Sequence, residues 1–343
     1  MSPVNLGSEW EIFAQTEPSI PKPQWIQEYR EYKEWRGKQT QAHLKSPTFS
    51  MLAEAVTVDN THIELPEVPG HKFPLRVYQP SKAGPQDKFP VMLYFHGGYW
   101  VGGDANSEDL GCRAVIARGN DIVIVSFSYR TIPDVAWDQV LRDAELAMRW
   151  MARPENAASV GADTSKGFLI GGAEAGAHLA AACAVRARRT GTDGLAVALT
   201  CQVLIVPTLM TWPDPQISPE WASRLRSHTE MADAPLLNSR LFQMFMESLD
   251  VPESKKRKGE NFPMWERDIK GLPPAYIPMN ECDPTRDQAF LYTELLQQAG
   301  VLTRTDYYRG LPNMFVQFPE LPTTLKICGH LEAGVAWLLQ ERK

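Results

Sequence analysis

Short unbroken apolar runs alternate along the chain with longer amphipathic segments. Phe73 to Tyr78 alternates in polarity, whereas Pro90 to Phe95 is continuously apolar and ends at a glycine pair. Asp121 to Phe127, Gly167 to Ile170, Val197 to Val206 and Pro274 to Pro278 repeat that second type. Continuous apolar runs bounded by Gly or Pro predict strands buried on both faces, as in a parallel sheet. The segments Asp109 to Arg118, Trp137 to Ala152, Ala177 to Arg188, Asp287 to Ala299 and Thr323 to Gln340 carry helical periodicity. Strand and helix take turns, so the pattern predicts an α/β fold with a mostly parallel, doubly wound sheet.

Two regions break the rhythm. Residues 208–268 are rich in Trp, Pro, Met and charge and show no strand pattern. The first fifty residues are punctuated by Pro and Trp, with one charge-rich helical stretch near Trp25 to Gln39. A long insertion after a sheet strand is most economically a lid over a site. The expectation is one domain over residues 1–343, with a helical cap built from about 1–50 and 208–268.

Composition narrows the function classes. The chain has 343 residues, 43% of them hydrophobic, which is ample for one large core. Its net charge of −6 offers no basic face for nucleic acid. The one dense basic run, Lys255 to Lys258, reads as a solvated loop. No run of 18 apolar residues spans a membrane, and the N-terminus lacks a charged-then-apolar signal pattern. Five scattered cysteines, with no CxxC spacing or Cys/His cluster, predict neither a disulfide framework nor a metal site. A reduced, cytoplasmic setting is the default expectation.

Chemistry-bearing motifs sit at the ends of the predicted strands. Tyr94-Phe95-His96-Gly97-Gly98-Tyr99-Trp100 follows one buried run, and Ser128-Tyr129-Arg130 follows the next. Gly171-Gly172-Ala173-Glu174-Ala175-Gly176 links a strand to a helix, and Cys282-Asp283-Pro284-Thr285-Arg286-Asp287 closes another strand. Tyr308-Arg309-Gly310-Leu311-Pro312-Asn313-Met314-Phe315 comes last. Taken in this order, from about Val56 to the C-terminus, these motifs resemble the hormone-sensitive-lipase-like branch of the α/β-hydrolase family, in its fungal esterase-like form.

That resemblance exposes departures. The family reads Gly-Asp-Ser-Ala-Gly at its nucleophile elbow, so its nucleophile position falls on Glu174 here. Its catalytic acid falls on Asp283, which is kept, and its catalytic histidine falls on Asn313. The Asp of its Asp-Tyr-Arg motif is Ser128. By the same resemblance His96 shapes the oxyanion loop. His178 and His330 are assigned to packing or surface, His178 being a minor candidate for a supporting role. The triad is degenerate.

A glutamate at an elbow projects into the pocket from a strained strand-to-helix turn. The helix N-terminus favours its ionised form, whereas burial and a nearby Asp283 push its pKa upward. The Gly97, Gly98 and Ala175 amides form the candidate oxyanion hole. A base facing such a hole is the minimal equipment for removing a proton next to a carbonyl. The leading expectation is therefore a lyase, cyclase or isomerase that condenses, cyclises, dehydrates or isomerises a carbonyl compound. Glu174 is its base, and Asp283 and Asn313 are the other candidate catalytic residues. An inert ligand-binding pseudo-hydrolase, with Glu174 plugging the hole, and a residual esterase stay open as alternatives. Tyr99, Trp100, Trp212 and Phe245 are candidate walls for an apolar small-molecule substrate. Family flavour alone points to a fungal secondary metabolite such as a polyketide. No nucleotide, flavin or metal motif occurs, so no cofactor is expected.

Overall fold

The structure, a computed structural model, describes residues 4–18, 20, 28–45, 52–84, 86–190 and 195–341. One sheet carries eight strands in the order β1-β2-β4-β3-β5-β6-β7-β8. These are β1 Val56–Glu64, β2 Lys72–Pro80, β3 Val91–Phe95, β4 Val123–Phe127, β5 Phe168–Ala173, β6 Cys201–Ile205, β7 Ala275–Cys282 and β8 Thr303–Pro312. The β1/β2 and β2/β4 pairs are antiparallel, and every pairing from β4 across to β8 is parallel. Every residue of β3, β4 and β5 is buried, as their unbroken apolar runs require of a sheet covered on both faces.

Helices α1 (Ser8–Thr16) and α2 (Tyr29–His43) precede the sheet, and α3 (Asp109–Ala117), α4 (Trp137–Met151) and α5 (Ala175–Thr190) follow strands within it. Helix α6 (Ser239–Ser248) lies in the insertion, and α7 (Arg286–Gln298) and α8 (Pro322–Glu341) complete the chain. Alternation along each strand sorts side chains to two faces. Met92 and Tyr94 pack with Cys112 and Val115 of α3 and with Val335 and Leu338 of α8. Val91, Leu93 and Phe95 pack into the larger cluster with α4, α5 and α7. Helix α4 shows why its segment is helical. Gln139 caps the Ala136 amide at 3.0 Å, and Val140, Leu141, Ala144, Ala147, Met148 and Met151 form one buried stripe at i, i+3/i+4 spacing.

The expected strands and helices differ from the observed ones chiefly at their ends. Strand β6 begins at Cys201 rather than Val197, and β7 runs on to Cys282 and so delivers Asp283 directly. Helix α2 runs from Tyr29, and residues 25–27 of the expected stretch lie outside the described residues. Strand β8 and helix α1 are among the elements that gave no recognisable pattern. Strand β8 is an edge strand whose first seven residues are partly buried or exposed, so no apolar run marks it. Helix α1 hides in the Pro- and Trp-punctuated N-terminus, and Trp10 is its one buried residue. Residues 208–268 contain no strand and fold as short helices and turns around α6. Their basic run is paired, Lys255 with Asp138, Lys256 with Glu253, and Arg257 with Asp214 and Glu253.

Candidate active site

The turn from β5 into α5 holds Glu174 at φ +51°. Three hydrogen bonds pin its backbone. Its amide donates to the Ile205 carbonyl at 2.9 Å, and its carbonyl accepts from the His178 amide at 3.0 Å and the Thr208 amide at 3.5 Å. The turn is tight enough to demand glycine. A Cβ at Gly176 would lie 1.9 Å from the Phe95 carbonyl oxygen. This is the strained elbow that carries the nucleophile in hydrolases of this shape, and here it presents a carboxyl group with 1% of its residue surface exposed.

The opposing loop leaves β3 through His96, Gly97 and Gly98. Gly98 sits at φ +111°, where a side chain would also strike the Gly102 carbonyl at 2.4 Å. Tyr129 and His96 brace the loop. The Tyr129 hydroxyl donates to the His96 carbonyl at 2.8 Å, and the two rings stack 4.2 Å apart. Arg130 anchors that motif to Asp143 at 2.6 Å, and the Ser128 hydroxyl accepts from the Ala105 amide at 2.7 Å.

Both loop amides are engaged by carboxylates. Gly98 N–H donates to Glu174 Oε2 at 2.8 Å, and Gly97 N–H donates to Glu108 Oε2 at 3.2 Å. Glu108 also pairs with Arg36 of α2 at 2.5 Å, both side chains being at least nine-tenths buried. Burial pushes the Glu174 carboxyl up to about 7. Arg36 and the Gly98 N–H pull it down, and Glu108 and Asp283 push it further up. Glu108 is pushed up to about 6, again by burial, against the opposing pull of Arg36 and the Gly97 N–H. Two carboxyls and one guanidinium thus share a buried network whose protonation changes near neutral pH.

After β7, at the same carboxyl end of the sheet as the elbow, Asp283 has no cation among its hydrogen-bond partners in the described residues. Its Oδ1 accepts from the Thr285 amide at 2.7 Å and the Thr285 hydroxyl at 2.9 Å, and its Oδ2 accepts from Asn313 Nδ2 at 2.9 Å. Burial raises its pKa, and these bonds oppose the rise. Asn313 therefore holds Asp283 as a histidine N–H would, but it has no basic nitrogen to offer.

Neither histidine near the site is suited to act as a base at neutral pH. Burial lowers the pKa of His96 to about 4 and of His178 to about 3, so both are neutral packing groups at neutral pH. His178 bonds the Asn261 carbonyl at 2.6 Å and lies among Trp100, Trp137 and Phe262. His330 stacks on Tyr308 from α8.

The expected pocket walls divide. Tyr99 stacks flat on Phe245 of α6, with ring centres 4.8 Å apart, and Tyr32 of α2 meets Phe245 edge-on at 4.8 Å. Trp100 instead points into the core against Trp137 and His178, and Trp212 stacks on His228. An apolar cavity of about 80 Å³ lies between the sheet and helices α3 and α8. Glu108, Ala173 and Met314 line it, whereas Glu174, Tyr99, Trp100, Trp212 and Phe245 do not. Ala175 opens α5 behind the elbow and is fully buried. Arg36 and Glu108 went unrecognised in the sequence. Nothing local links two residues 72 positions apart, and each reads as one charge among many.

The sheet order, the elbow at Glu174 and the opposed glycine loop together define an α/β hydrolase, and the chain belongs to the α/β-hydrolase fold family, in its hormone-sensitive-lipase-like branch. The family model matches residues 92–317. Versiconal hemiacetal acetate esterase from Dothistroma septosporum is 30% identical over 288 residues, 83% of either chain. The carboxylesterase NlhH of Mycobacterium tuberculosis is 35% identical over 250 residues, 72% of either chain. Among solved structures, a vibralactone cyclase superposes with a TM-score of 0.86 at 24% identity, covering 100% of this chain and 98% of that one. A thermostable esterase from Pseudomonas putida gives 0.81 at 21%, covering 100% and 99%.

Proposed function

We propose that the chain is a non-hydrolytic enzyme of this family that removes a proton beside a carbonyl group, with Glu174 as general base. The observation that carries this is the Glu174 carboxyl itself, buried at the elbow, bonded to Gly98 and pushed up to about 7. A base works best when its pKa lies near the working pH. In the proposed step the substrate C–H proton passes to a Glu174 oxygen, and the C–H electron pair becomes the enolate, its charge on the carbonyl oxygen. As Glu174 becomes neutral, the Gly98 N–H shifts its bond from Glu174 to that oxygen, and the Gly97 N–H supports it when Glu108 moves aside. The enolate then condenses, closes a ring, expels a leaving group or is reprotonated elsewhere.

Ester cleavage ranks lower. Attack by Glu174 would yield an anhydride, and neither His96 nor His178 has a pKa suited to activating water. Tyr32, Tyr99 and Phe245 make up the proposed lid contact, in which the N-terminal helix and the 208–268 insertion form one cap. The substrate we assign is an apolar, carbonyl-bearing secondary metabolite. Two names fit that assignment, a relative called a versiconal hemiacetal acetate esterase and a structure of this fold called a vibralactone cyclase. One observation favours a second reading, a non-catalytic binder. The same two amides that would serve an oxyanion are already taken by Glu108 and Glu174.

Metabolite profiles of a strain lacking the gene, complemented with the wild type or with Glu174→Gln, separate the two. Proton abstraction predicts that only the wild type restores the missing product. Restoration by both would leave the binder.

A further inference from the structure

The loop that carries Gly97 and Gly98 continues into Tyr99, and the step above leaves the hydroxyl of that residue without a role. Its backbone lies at φ +51°, in the left-handed region that a bulky side chain enters only at a cost. Such strain persists where the surroundings enforce it, and it gathers at functional sites. Here the surroundings form a clamp. The Tyr99 ring stacks flat on Phe245 with centres 4.8 Å apart, and Phe242 and Tyr32 each meet it edge-on with centres 6.2 Å away. Phenylalanine would fill that clamp as well. The hydroxyl is the added group, and it is buried without a hydrogen-bond partner on a residue 1% exposed. An unpaired buried O–H costs stability, so on a clamped ring it marks a place for a missing acceptor.

The charged groups around Tyr99 tie it to the elbow. Burial raises its pKa well above the ordinary tyrosine value, and the charges of Glu174 and then Asp283 raise it further. The proton therefore stays on the oxygen, and the group is a donor. Neither carboxyl takes its bond, because Glu174 turns to Gly98, and Asp283 to Thr285 and Asn313. The proton-abstraction step lacks a donor of this kind. While Glu108 and Glu174 hold the two loop amides, neither amide is free to receive a carbonyl oxygen. We infer that Tyr99 is a catalytic residue, its hydroxyl donating to the substrate carbonyl oxygen before the loop amides are released and holding that oxygen as the enolate forms. The substrate proton goes to Glu174, the C–H electron pair ends on the carbonyl oxygen, and Tyr99 keeps its own proton throughout. This rests on Glu174 being the base and adds a second residue to its step.

The test uses 4-nitrophenolate as probe, because its charged oxygen on an apolar ring resembles an enolate. The control is 4-nitroanisole, which has no charged oxygen. Both are titrated above pH 8 into Glu174→Gln, whose neutral side chain stands in for the protonated base, and into the double variant with Tyr99→Phe. Loss of the hydroxyl is expected to weaken the phenolate by about 10- to 100-fold, the range of a hydrogen bond to a charged group, and the anisole by less than about twofold. Tyr99→Phe alone should melt no lower than the wild type, since it removes an unpaired buried group. Equal weakening of the two probes, no saturable binding of the phenolate to Glu174→Gln, or a lower melting temperature for Tyr99→Phe would overturn the inference. Complementation of the deletion strain separates this role from that of the base. Full restoration of product by Tyr99→Phe but not by Glu174→Gln would overturn the donor and leave the base, whereas restoration by Glu174→Gln would remove both.

Discussion

The two ends of the elbow site handle their buried carboxylates differently. Asp283 is held by Thr285 and Asn313, all neutral donors, and its one side-chain partner from the motif that follows cannot take a proton. Glu174 and Glu108 instead share two loop amides and the Arg36 guanidinium, with carboxyls pushed up to about 7 and about 6. Burial raises both carboxyls, but neutral donors oppose the rise at Asp283, whereas Arg36 and a loop amide oppose it at Glu174.

The sharpest way to break that contrast is Glu174→Gln, which keeps the shape and removes the charge. It should cost on the order of 10²–10⁴-fold in turnover, measured on the precursor that accumulates in the deletion strain. The matching change at the quiet end, Asp283→Asn, should cost far less in the same assay. Next in size is Arg36→Met, which leaves two buried carboxylates without their cation. A loss on the order of 3 kcal/mol in urea unfolding at pH 8 is expected, shrinking below pH 5 where both carboxyls are protonated.

A third effect is the pH dependence of stability. The folded-state value of Glu174 lies above its ordinary 4.5, so the fold favours its protonated form. That contribution is fully present below about pH 4.5 and is lost as pH rises through about 7, amounting to at most roughly 3 kcal/mol. Glu174→Gln should flatten this slope and melt higher than the wild type at pH 8. The smallest effect is expected from Asn313→Ala, which orphans Asp283 Oδ2 at a cost of about 1–2 kcal/mol, read by thermal unfolding.

How much of this was legible in the sequence follows from where each signal resides. Strands β3, β4 and β5 are buried on both faces, and their apolar runs announced them. Strand β8 and helix α1 were silent because edge and surface elements carry no such run. Glu174, Asp283 and Asn313 were singled out as candidates by position within ordered motifs, and in the structure Asn313 donates to Asp283. Arg36 and Glu108 were not found, because their pairing exists only once α2 folds over the glycine loop. For the same reason the competing pulls on Glu174 could be named from sequence but not weighed. Trp100 illustrates the converse. An aromatic next to an oxyanion loop suggests a pocket wall, yet its φ of +62° accompanies a ring packed into the core.

The most direct test of the account is the titration of Glu174 itself. Carboxyl-¹³C NMR of the glutamate-labelled protein, assigned by the signal missing from Glu174→Gln, gives its midpoint without any substrate. A midpoint near 7 is predicted for a base held ready at neutral pH. A midpoint near 4.5 would contradict the account, because Glu174 would then be a permanently ionised plug on the Gly98 amide.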